Sequence, residues 1–361
     1  MSNTDNSSYC YAFPAVRGLQ AGNTFFIATC PMRIIPRIFV YDEEEVPPEL
    51  RAQRTLNKSR IPEMVRYLLE NPDDYVFSAL TASVGSEVHF EEFEGASNMG
   101  TLKVPMDAQI LINDGQHRRK AIEEAVKERP ELGHDNIPVL FFVDEGLIRS
   151  QQMFADLNKY AVKPSPSLGT LYDHRDPASH LARYLATEIA PFKGMTEMEK
   201  SSISVMSNKL FTLSSIKQAT RALLSKGIKE GYSDRDKEVA TQYWVAVFTN
   251  MPDWQQAISK QVTPAQLRQE YIHAHGVGLH ALGMLGKDLL CESPDEWQKK
   301  LEKLNEIDWR KANPVWIERS MQHGKLSKSN TSIQLTCNAL KLELGLKLTP
   351  EENALEGQLE Q

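Results

Sequence analysis

Ile110-Leu-Ile-Asn-Asp-Gly-Gln-His-Arg-Arg-Lys-Ala-Ile122 decides how the first part of this chain is built. Its apolar start, Gln109–Ile112, predicts a strand, Asn113-Asp114-Gly115 a turn, and Gln116 to about Glu128 a helix. Gly115 suits a backbone conformation that residues with a side chain rarely adopt. A helix start leaves N–H groups unpaired and carries partial positive charge, so it suits a phosphate. Arg118, Arg119 and Lys120 in the first turn oppose the helix dipole. That costs roughly a few tenths of a kcal/mol unless an anion compensates. A phosphate would do so, and so would Glu123 and Glu124 in an ordinary solvated helix start. Spacing alone favours the plainer reading and leaves both open.

Outward from this stretch, Ile137–Val143 reads as a buried strand between Asn136 and Asp144. Thr24–Thr29 and Arg37–Tyr41 are short β-rich runs, and Tyr75–Thr81 predicts a further strand. Pro62 followed by Met64, Val65, Leu68 and Leu69 predicts a helix that Asn71-Pro-Asp-Asp74 stops. Segment 83–105, rich in Gly, Ser and Glu, reads as a hairpin or mobile insertion. From about residue 146 helix signals dominate: 150–159, 178–190, 214–226, 235–249, 264–275 and 294–304. Thr263-Pro264 and Ser293-Pro-Asp-Glu296 mark two of these starts. The expected fold class is α/β: a mixed α/β domain over 1–145, a mostly helical domain over 146–350, and a loose acidic tail over 351–361.

The net charge of −7 argues against a chain coated in positive charge, though phosphate contacts need only a local basic surface. Between Trp309 and Lys347 the basic residues Arg310, Lys311, Arg319, Lys325, Lys328, Lys341 and Lys347 outnumber Glu318 and Glu343. Arg310, Lys311, Arg319, Lys325 and Lys328, interleaved with Trp309 and Trp316, are the candidate DNA-backbone contacts; a solvated surface with buried tryptophan anchors is the alternative. No apolar run of about 18 residues exists, the start of the sequence has no secretory pattern, and the cysteines at 10, 30, 291 and 337 are scattered. A cytoplasmic protein with reduced thiols, off the membrane, is expected. His273, His275 and His280 read as packed or capping side chains rather than metal ligands. Ala281–Asp288 is a near-miss for a phosphate loop and is rejected, because Ala281 and Asp288 stand where Gly and Ser/Thr are needed. Thr212–Tyr232 is a weakly patterned helix-turn-helix candidate. No cofactor can be named.

Asp114-Gly-Gln-His-Arg118, after a strand and before an Ala-Ile helix, resembles the DGQHR-domain group, which is similar in turn to ParB-like domains. Arg54-Thr-Leu-Asn-Lys-Ser-Arg60, Gln152-Met-Phe-Ala-Asp-Leu-Asn158, Lys163-Pro-Ser-Pro-Ser-Leu168, Ile272-His-Ala-His-Gly276 and Ile307-Asp-Trp-Arg-Lys-Ala-Asn-Pro-Val-Trp316 extend the likeness over about residues 15–350. The full set resembles the DndB family of DNA sulfur modification (phosphorothioation). The resemblance implies a polar centre of Asp114, Gln116, His117 and Arg118, with Asn158 facing it and Gly115 and Arg119 joining in phosphate or nucleotide binding. It implies a repressor of the sulfur-modification genes that binds double-stranded operator DNA as a homo-oligomer. A nucleotide hydrolase or DNA nickase, with Asp114, His117 and Arg118 catalytic, is the alternative. A third reading is a structural subunit that docks onto other sulfur-modification proteins.

Overall fold

The computed structural model describes residues 9–39, 58–143, 152, 153, 156, 157, 164–227 and 230–359. The chain divides into two compact units, Met1–Val162 and Lys163–Gln361.

The first unit is a seven-stranded sheet with helices. Its strands are β1 (Cys10–Gln20), β2 (Asn23–Pro31), β3 (Leu80–Val84), β4 (His89–Phe93), β5 (Ala96–Pro105), β6 (Ile110–Asp114) and β7 (Asn136–Val143). They lie in the order β4-β5-β1-β2-β7-β3-β6, and β3 with β7 is the parallel pair. Alternation sets the two faces: Phe13 and Ala15 of β1 and Phe26, Ala28 and Cys30 of β2 point into the core. The helices α1 (Ile35–Ile38), α2 (Ile61–Glu70) and α3 (Gln116–Glu128) supply Ile35, Val65, Leu68, Ala121, Ile122 and Ala125 to the same core. Every residue of β3 is buried, as expected for a strand flanked on both sides by β7 and β6.

The strand–turn–helix of 110–128 forms as read, and segment 83–105 contains the β4–β5 hairpin. Arg37–Tyr41 differs: Arg37 and Ile38 end α1, because Pro36 in its first turn presets a helical φ, and residues 40 and 41 lie outside the described residues. The strand expected over Tyr75–Thr81 begins only at Leu80. The helix expected over 150–159 lies largely outside the described residues.

The second unit is helical around one core. Its helices are α4 (Pro166–Tyr172), α5 (Pro177–Glu188), α6 (Leu213–Leu224), α7 (Asp234–Thr249), α8 (Pro252–Ile258), α9 (Pro264–Glu270), α10 (Gly276–Leu289), α11 (Pro294–Leu301), α12 (Asn330–Glu343) and α13 (Pro350–Glu356). Two-stranded pairs join Thr196–Glu197 to Phe211–Thr212 and Met321–Gln322 to Lys325–Leu326.

Helices α6 and α10 run parallel at close range, with Gly276 against Ser215, Gly283 against Ala219 and Gly286 against Leu223. The buried Lys341 ammonium pairs with both Asp288 and Glu352 at 2.5 Å, which fastens α12 to α10 and α13. The stretch read as a loose acidic tail therefore contains a helix. Thr349 and Glu352 form a capping box, and Arg319 holds Glu356 at 2.5 Å. Seven residues of α6 are buried, so it is a core helix rather than an exposed recognition helix. No helix among the described residues is long and apolar enough to cross a membrane.

Candidate functional site at the start of helix α3

Gly115 caps α3 at φ +102°. A Cβ there would lie 2.5 Å from Leu80 Cδ2 and 3.0 Å from an Arg118 terminal nitrogen, so both conformation and space require glycine. Gly115 has no side chain to cap the helix, and no side-chain cap hydrogen bond occurs at its start among the described residues. The buried Asn113 just before the turn donates to Ser83 Oγ at 2.6 Å and so anchors the turn to β3.

Arg118 folds back over the turn. Its guanidinium donates to the Asp114 carboxylate at 2.8 Å and to the Ala79 carbonyl at 3.1 Å. Its Nε is buried and has no hydrogen-bond partner among the described residues. Asp114 is the more open of the two, with 45% of its side chain exposed against 18% for Arg118. Gln116 donates to the Ile112 carbonyl at 3.2 Å. Burial pushes the His117 pKa down, the charges of Arg60 and Arg118 push the same way, and Asp114 opposes them. His117 is therefore a neutral imidazole near pH 7.

Arg119, expected at a phosphate, is instead turned inward. It donates to the carbonyls of Phe39 and Pro36 at 3.1 and 3.0 Å and to Glu123 at 2.5 Å. Lys120 lies 3.3 Å from Glu123, and Lys127 also binds Glu123 at 2.7 Å. The charges that run against the helix dipole are thus offset mainly within α3 itself, in line with the plainer reading of the sequence. What remains unpaired at the turn, among the described residues, is the buried Arg118 Nε–H. Asn158 lies outside the described residues.

The five basic residues named for DNA in the second unit have different surroundings. Arg310 is exposed but grips Asp308 through two nitrogens at 2.9 and 2.7 Å. Lys311 donates to the Arg268 and Gln269 carbonyls at 2.6 and 2.9 Å. Arg319 is held by Glu356 and the Val315 carbonyl. Lys325 is exposed on the small hairpin, and Lys328 lines a cleft. Trp309 and Trp316 are buried and stacked, with ring centroids 5.6 Å apart.

A family profile for DndB, DNA-sulfur modification-associated, matches residues 13–347, nearly the whole chain. This chain belongs to the DndB family. No curated protein and no solved structure matches it.

Within this DndB-family chain the match takes in both the Asp114–Arg118 turn and the Trp309–Lys328 region. Sequence reading missed the Ala79 carbonyl and Leu80, which meet Arg118 and Gly115 from the neighbouring strand. Only the β3–β6 pairing brings them there, and no local pattern encodes it. Of the histidines of 273–280, His273 and His275 make hydrogen bonds, whereas the Nδ1 of His280 is buried without a hydrogen-bond partner among the described residues. His273 is fully buried, accepts from Trp254 Nε1 at 3.0 Å, and faces Asp253 at 3.0 Å. No group of three or more metal-ligating side chains occurs among the described residues.

Proposed function

We propose that this DndB-family protein regulates a DNA sulfur-modification gene cluster by binding double-stranded DNA, acting as a repressor. Family membership supports the link to DNA sulfur modification. The phosphate-binding part of the reading rests on one observation, the buried Arg118 Nε–H without a partner among the described residues, at an uncapped helix start. An unsatisfied buried donor on a cation is costly, of order 1–3 kcal/mol, and a phosphate oxygen at the turn would relieve it once the partly exposed Arg118 side chain shifts towards it. Of the basic residues in the second unit, Lys325 is the exposed candidate for a further backbone contact.

The alternative nucleotide hydrolase or nickase would need Asp114 to leave Arg118 and act on water or a cation. A gel shift separates the readings. The regulator retards DNA from upstream of its own gene cluster at moderate salt, in preference to unrelated duplex of equal length. Loss of that preference in folded protein would reject it. Nucleotide turnover or nicking that disappears in Asp114→Ala would favour the enzyme.

A further inference from the structure

A cleft of about 490 Å³ opens in the second unit where α6 and α10 begin. Among the described residues no Asp or Glu lines it, although acidic residues outnumber basic ones 48 to 41 in the chain. The charged groups in the wall are Arg268 and Lys328. Arg268 is 8% exposed and donates to the carbonyls of Ser204, Val205 and Ser207 at 3.0, 2.9 and 3.0 Å. Those carbonyls satisfy its hydrogen bonds but not its charge, and a buried cation without a counter-ion is unfavourable. Lys328 is exposed and has no carboxylate partner among the described residues. Lys311 binds carbonyls just behind the wall and adds a third positive charge.

The backbone points the same way. α6 and α10 are parallel helices of 12 and 14 residues, and both start at the cleft. Thr212 caps α6, but no side chain among the described residues caps α10. Its N-cap residue, His275, instead directs Nε2 to the Arg268 carbonyl at 2.6 Å. That carbonyl can only accept, so Nε2 carries the proton. Burial first, and then the Lys311 charge, lower the His275 pKa to about 4, so the ring adds no charge near pH 7. A Cβ at Gly276 would sit 2.9 Å from both Lys328 Nζ and Ser215 Oγ, so the bare glycine lets an ammonium and a hydroxyl approach the open helix start together. Ile203 lines the cleft as an apolar residue, and the nearly buried Phe211 reaches its wall.

We propose that this cleft binds a small phosphate ester, with its phosphoryl group at the start of α10 between Gly276, Ser215 and Lys328 and its apolar part against Ile203 and Phe211. The volume fits a small-molecule site, and uncapped amides beside cations are the usual means of holding phosphate. The cleft belongs to the second unit, whereas the DNA reading rests on Arg118 in the first.

Calorimetry on the full chain tests it, with inorganic phosphate, AMP and adenosine as probes. Phosphate and AMP should bind saturably and adenosine should not. Lys328→Gln should weaken AMP about tenfold or more, the loss of one charge-assisted contact. Gly276→Ala should weaken AMP as well, whereas Lys325→Gln on the hairpin should leave it unchanged, each variant being checked for an unaltered circular dichroism spectrum. Absence of saturable phosphate and AMP binding to wild type would overturn the proposal. So would equal weakening by Lys325→Gln and Lys328→Gln, the sign of unspecific charge, or displacement of bound AMP by a short duplex. Arg118→Gln should not change AMP affinity, so failure here and failure of the DNA reading remain distinct results.

Discussion

Asp114 and Arg118 hold each other at 2.8 Å across the turn that joins β6 to α3, and the pairing leaves the buried Nε–H of Arg118 facing no acceptor among the described residues. The carboxylate thus restrains the guanidinium without saturating it. A phosphate at the helix start would pair with that donor once the Arg118 side chain shifts outward, with His117, its pKa lowered by burial, beside it.

Arg119 and Arg118 are adjacent in sequence but have different roles. Arg119 ties α3 to the carbonyls of Pro36 and Phe39 from inside the protein. Arg119→Met should remove those bonds and leave Glu123 with Lys120 and Lys127 alone, lowering stability by about 2 kcal/mol. Chemical denaturation should show a lower midpoint with an unchanged slope.

Gly115→Ala tests the geometry of the turn. At φ +102°, with Leu80 Cδ2 only 2.5 Å from the new Cβ, it should cost about 1–3 kcal/mol. A thermal melt within a degree of wild type would show that the turn relaxes freely.

The cluster around Glu123 should leave a signature in pH dependence. Burial alone would raise its carboxyl, but the Lys127 hydrogen bond and the charges of Arg119 and Lys120 overcome this and bring it down to about 2. A folded pKa below the unfolded value of 4.5 gives stability that is fully present above about pH 4.5 and lost as pH falls towards 2. Glu123→Gln should therefore be less stable than wild type at pH 7, and the gap should narrow between pH 4.5 and 3. Urea titrations at these pH values measure it.

Gly283 carries the closest approach of α10 to α6, where a Cβ would overlap the Ala219 carbonyl. Gly283→Ala should force the helices apart and cost about 2–3 kcal/mol. Gly231→Ala, whose new methyl would meet only open space, is the comparison that should change little.

The strand, turn and helix of 110–128 were legible because hydrophobic period, Asp-Gly chemistry and helix propensity agree there. β1 was not read, since Pro14 and Gly18 interrupt its pattern, and it is fixed by pairing with β2 and β5. α10 was also missed. Its glycines oppose helix propensity locally, yet they permit the contact with α6 that makes the helix worthwhile. In the candidate site the motif itself was visible, but the direction of each side chain was not. Arg118 turns back to Asp114 and the Ala79 carbonyl, and Arg119 turns to the carbonyls of Pro36 and Phe39, because tertiary packing brings these distant segments to the α3 start without a local signal. Likewise the basic stretch from Arg310 to Lys328 reads as one surface in sequence. In the fold Arg310 and Arg319 meet carboxylates, Lys311 meets carbonyls and Lys328 meets a cleft.

The most direct measurement is the salt dependence of duplex binding by fluorescence anisotropy, wild type beside Arg118→Gln. If the Asp114–Arg118 turn holds a DNA phosphate, the variant binds about tenfold more weakly, and its slope of log affinity against log salt is shallower by about 1. Identical affinity and slope for the two folded proteins would contradict it.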